Sequence, residues 1–173
     1  MLPRTWIAVA GAALLSGPAG HADDTAKTVI GVNPRLSEGA YALEFGNYEE
    51  GIRLTLEGLR ATVRPNDRVG ALSNLCAGYV GIQDYASALR YCNRALDLDE
   101  RNWHAYNNRS LAYLGLGNTS AAERDLKKGL EINPEARTLN EVKARIEAAK
   151  QAAAAEKRAP VSTPPEEVPP SED

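Results

Sequence analysis

The chain has 173 residues, 20 lysines and arginines against 23 aspartates and glutamates, and a net charge of −3. That balance provides no basic surface for a nucleic acid, and the length allows one ordinary domain with flanking segments. Two cysteines, Cys76 and Cys92, are too few for a disulfide-dense scaffold and lack zinc-site spacing.

Residues 1–22 read as an export leader. Arg4 supplies the positive start, Trp6 to Leu15 is a short apolar run, and Gly17 and Pro18 break it. Gly20 and Ala22 then place small residues at −3 and −1 before Asp23. The apolar run is too short to span a bilayer, so cleavage after Ala22 is expected, with no stable membrane insertion afterwards. The alanine-rich leader has a bacterial character, which points to a periplasmic protein. Residues 23–35 form a polar lead-in without periodicity.

From Ala71 the chain repeats itself. Ala71-Leu72-Ser73-Asn74, Tyr79, Ala88 and Leu96 recur 34 residues later as Ala105-Tyr106-Asn107-Asn108, Tyr113, Ala122 and Leu130 (105 − 71, 113 − 79, 122 − 88, 130 − 96). An earlier and weaker copy holds Gly46-Asn47-Tyr48 and Gly58-Leu59, offset by 37 from Asp84-Tyr85 and Ala95-Leu96 (85 − 48, 95 − 58). Pro65 interrupts helical geometry at Arg64, which places the three extra residues in a loop. The units occupy 36–68, 69–102 and 103–136. Beyond Pro134, Leu139, Val142, Ile146, Ala149 and Ala153 form one narrow apolar stripe. Residues 137–158 therefore predict an end helix with a wet outer face. Residues 159–173 are rich in proline and acid and hold almost no apolar mass, so a disordered tail is expected.

The period of 34, with small residues and tyrosines in these slots, resembles the tetratricopeptide repeat, a helix-turn-helix unit. The resemblance covers about Ser37 to Pro134 and implies an all-α solenoid of helical hairpins. Its small slots hold Cys76, Ala88 and Ala95 in the second unit and Ser110, Ala122 and Gly129 in the third. The first unit departs most: Glu38 stands where leucine is usual, and Gly51 and Gly58 each cost about 1 kcal/mol of helix stability relative to alanine. It is expected to be helical and the least stable.

In the family, first-helix residues line a concave groove that grips extended peptides. Here those positions include Ser73, Asn74 and Ala77, with Asn107, Asn108 and Leu111 in the next unit. Asn74 and Asn108 fit either a bond to a peptide backbone or a structural filler role. Chaperone-binding members carry lysine and arginine nearby to clamp a terminal carboxylate. This sequence carries serine, alanine, asparagine and leucine, which disfavours an acid-ended ligand. Facing positions across the hairpin hold Leu75 and Tyr91 in the second unit and Arg109 and Asp125 in the third. Both members change together, as an internal ion pair requires, because one charge buried alone costs several kcal/mol. Cys76 and Cys92 also face each other across the antiparallel hairpin, as a disulfide or as two neighbouring buried thiols.

Catalytic chemistry finds little support. After leader cleavage the single histidine is His104, and no second base stands ready for a serine or cysteine nucleophile. Gly115-Leu116-Gly117 reads as a helix end and turn rather than a phosphate loop. Glu49 and Glu50 suit a helix start, where negative charge favours the dipole. No metal site or cofactor is implied. The expected function is non-catalytic binding of a protein or peptide, as a periplasmic adaptor or assembly factor. The other reading is a self-associating structural protein, a homo-oligomer whose tail serves as spacer or wall contact.

Overall fold

The structure, a computed structural model, describes residues 33–61 and 64–158. The leader, the lead-in as far as residue 32 and the tail lie outside these residues. The described residues form seven helices and no strand: α1 (Pro34–Glu44), α2 (Tyr48–Arg60), α3 (Pro65–Gly81), α4 (Tyr85–Leu98), α5 (Trp103–Gly115), α6 (Thr119–Ile132) and α7 (Arg137–Arg158). Three antiparallel hairpins, α1/α2, α3/α4 and α5/α6, stack in chain order, and α7 closes the stack against α5 and α6. This is the helical-hairpin solenoid the repeat implies.

Local chemistry sets the helix ends. Asn33, Asp84, Asn102 and Asn118 each cap a helix by accepting a backbone N–H two or three residues on, at 3.0–3.1 Å. Two helices begin at proline, whose missing N–H is no loss in the first turn. At the hairpin turns the chain passes through left-handed geometry at Gly46 (φ 77°), Gln83 (φ 61°) and Gly117 (φ 72°). Glycine enters that region without a Cβ penalty, and Gln83 is the exception.

The main core runs through the middle of the stack. Leu72, Cys76 and Val80 of α3 meet Ala88, Cys92 and Ala95 of α4, and the cluster continues through Leu111, Leu126, Leu139, Val142 and Ile146. A second cluster of Leu43, Tyr48, Ile52 and Leu75 joins the first hairpin to α3. On α7 the buried residues end at Ile146, and residues 150–158 are all exposed.

In the first hairpin the glycines serve close packing. A Cβ on Gly51 would stand 2.5 Å from the Leu43 side chain and 3.0 Å from the Gly39 carbonyl oxygen. A Cβ on Gly58 would stand 2.5 Å from Leu36. The helix-propensity cost read from the sequence is therefore offset by an approach between α1 and α2 that alanine would prevent. Gly51→Ala should consequently destabilise the protein by about 2 kcal/mol, because the overlap outweighs a gain in helix propensity of about 1 kcal/mol. Urea denaturation of the purified variant decides the sign. A stabilised variant would show that the α1/α2 contact is looser than this geometry.

Candidate functional site

The six groove positions come together on two neighbouring helices. Ser73, Asn74 and Ala77 lie on α3, and Asn107, Asn108 and Leu111 lie on α5. The structure buries all of them, with exposures between 0 and 3%. Burial on α3 runs without a break from Gly70 to Gly78, so this helix is enclosed on every side.

The seam between the two helices is polar. The Asn108 side-chain amide donates to the Ser73 carbonyl oxygen at 3.3 Å, and the Asn107 amide donates to Asn108 Oδ1 at 3.1 Å. Asn108 thus ties one hairpin to the next. Ser73 Oγ is buried and has no hydrogen-bond partner among the described residues. A buried hydroxyl without a partner forgoes its water contacts, at a cost of about 1–3 kcal/mol.

Behind this wall, each hairpin is braced differently at matching slots. Cys76 and Cys92 form a disulfide between α3 and α4, with Cα atoms 5.2 Å apart and both residues fully buried. The same slots in the next hairpin hold Ser110 and Leu126, and there Ser110 Oγ donates to the Ala122 carbonyl at 2.8 Å. One position along, Leu75 sits in the core with Tyr91 packed against it, and Tyr91 stacks on Tyr79 at 5.2 Å. The third hairpin replaces that apolar pair with a salt bridge. Arg109 donates to both Asp125 oxygens at 2.7 and 2.8 Å, and its remaining arm reaches Asn93 of α4 at 2.7 Å. Burial works against the Arg109 charge, but the Asp125 carboxylate bonded to it raises its pKa above the usual value. The pairing of Arg109 with Asp125 was legible in the sequence. The third partner Asn93 and the Ser110 bond were not, since neither carries a repeat-level signal.

His104 stacks on Trp103, with ring centroids 3.6 Å apart. Among the described residues, no three His, Cys, Asp or Glu side chains converge as a metal site. No helix of the described residues is long and apolar enough to cross a membrane.

Comparison with known proteins agrees with this geometry. The family model described as Tetratricopeptide repeat matches residues 75–147. The chain is 37% identical over 101 residues to Tetratricopeptide repeat protein 12 of Homo sapiens, covering 58% of this chain and 14% of that protein. It is 32% identical over 91 residues to Photosystem I assembly protein Ycf3 of Cyanophora paradoxa, covering 53% of this chain and 49% of that one. The chain thus spans about half or less of these relatives' length. Among solved structures, the first TPR of Spaghetti (RPAP3) bound to the HSP90 peptide SRMEEVD superposes with a TM-score of 0.58 at 24% identity. That alignment covers 69% of this chain and 90% of the other, and it shows a shared fold.

The internal ion pair predicts a diagnostic set of variants. Asp125→Ala should cost about 3 kcal/mol, because it strands the largely buried Arg109 guanidinium. Replacing both members by the apolar pair of the preceding hairpin, Arg109→Leu with Asp125→Tyr, should recover most of that loss. Thermal unfolding of the three proteins checks the ordering. A double variant as unstable as the single one would show that the two slots are not interchangeable.

Proposed function

The helical hairpins of this chain are tetratricopeptide repeats, and from them we propose a non-catalytic interaction module that receives an extended segment of a partner protein along α3 and α5. The observation that carries the reading is the polar seam itself. A solenoid interior is normally apolar, yet here Ser73, Asn74, Asn107 and Asn108 stand together and Ser73 Oγ lacks a partner. All four are 0% exposed, so a segment reaches these polar groups, already stripped of water, only where the seam between α3 and α5 opens. A hydrogen bond to them therefore gains more than one made in solvent.

The partner segment is neutral rather than acid-ended. A peptide ending in EEVD is bound by the RPAP3 repeat, whereas the six wall positions of this chain carry no lysine or arginine. We place the protein in the periplasm as an adaptor or assembly factor. The leader pattern of residues 1–22 supports export, and a fully buried disulfide suits an oxidising compartment.

Ser73→Ala tests the reading with two measurements of opposite sign. Removing the unpartnered hydroxyl should leave stability unchanged or raise it by about 1 kcal/mol. Combined with Asn74→Ala, it should weaken binding of the partner captured by leaderless protein from a periplasmic extract by about tenfold. Undiminished binding by the folded double variant would remove these residues from the contact surface.

A further inference from the structure

Five large apolar side chains are exposed among the described residues: Tyr41, Phe45, Ile82, Leu98 and Leu116. Single exposed apolar residues are ordinary on a protein surface. Three of these, however, occupy one slot. Phe45, Ile82 and Leu116 directly follow α1, α3 and α5, with φ of −92°, −90° and −87°. Each donates its backbone N–H to the carbonyl four residues earlier, at 3.1 Å in all three cases. Their exposures are 78%, 37% and 53%, so no hairpin needs them for its own core.

Because α1, α3 and α5 pack in succession and run in the same direction, the three residues form a row along the turn edge of the solenoid. Neighbours in the row are separated by roughly one helix–helix spacing, about 8–10 Å. Tyrosine rings fill the intervals from beneath, Tyr48 at 8% exposure and Tyr85 partly exposed. Tyr48 lies against Gly81, next to Ile82, and Tyr85 lies against Gly115, next to Leu116. A Cβ on either glycine would collide with the ring, so these glycines let each tyrosine pack between neighbouring hairpins under the row. Tyr41, one turn before Phe45 on α1, extends it.

We infer that this edge docks an amphipathic helix of a partner protein, one with apolar residues about seven apart and basic flanks. A helix returns to the same face every seven residues, a rise of about 10.5 Å, which matches the spacing of the row. Within four residues of its members along the chain stand Glu44, Glu49 and Asp84 and no lysine or arginine, and the basic group that acts on Asp84 is Arg90, farther along α4. That deficit disfavours an anionic bilayer, which recruits basic residues. A second copy would bring the same acids to the interface, and the tail would bring Glu166, Glu167, Glu172 and Asp173.

The test uses a synthetic helical peptide of about 18 residues with leucines seven apart and lysines beside them, and a second peptide of equal composition with the leucine spacing broken. The first should bind the protein at least about tenfold more tightly in fluorescence anisotropy. Phe45→Ser with Leu116→Ser should lose about tenfold of that affinity while keeping the unfolding midpoint, since both side chains are exposed. Ser73→Ala with Asn74→Ala should bind the peptide like the parent, which separates this surface from the inner wall. Equal binding of the two peptides, or an unaffected Phe45/Leu116 variant, overturns the inference. So does dimerisation, or flotation with phosphatidylcholine–phosphatidylglycerol vesicles, that disappears in that variant, since either assigns the edge to another occupant.

Discussion

Helix α3 packs against α1, α2, α4 and α5, and a helix with neighbours on so many sides must have small side chains wherever a neighbour comes close. Gly70, Ala71, Ser73, Cys76, Ala77 and Gly78 meet that demand, while Leu72 and Leu75 fill the wider gaps. At Gly78 the requirement is visible in atoms: a Cβ there would lie 2.7 Å from Ile52 and 2.8 Å from Leu43. The position of the first hairpin, the seat of α5 and the site of the disulfide all follow from this packing. Interiors are packed as densely as organic crystals, so a single added methylene on α3 would be felt by several neighbours at once.

The inner wall inherits its character from the same constraint. Enclosure takes Ser73, Asn74, Asn107 and Asn108 out of water, and each polar atom then needs a partner. Asn108 finds one in the Ser73 carbonyl and so joins two hairpins that the Arg109–Asn93 bond also ties together. The Cys76–Cys92 link and the Arg109–Asp125 pair lie behind the wall and hold each hairpin closed.

Much of the fold was legible because its signal is repeated. The offset of 34, the small residues at matched slots and the joint change from Leu75/Tyr91 to Arg109/Asp125 compare the chain with itself, and the seven helices agree with that reading. What escaped depends on contacts between helices. Gly51 and Gly58 read as local helix penalties, since propensity is a property of one segment, whereas their contacts with Leu43 and Leu36 come from a different helix. The wall residues were assigned to a groove by position, and their burial reflects how many neighbours enclose α3 and α5. The row of Phe45, Ile82 and Leu116 was hidden because each residue alone looks like an ordinary helix end.

Amide hydrogen exchange of the oxidised protein, resolved by peptide, tests the central role of α3 most directly. The account predicts that residues 70–81 exchange most slowly of all, that α1 and α2 exchange faster, and that residues 151–158 exchange like an unfolded chain. Exchange in α3 as fast as in the exposed end of α7 would contradict it.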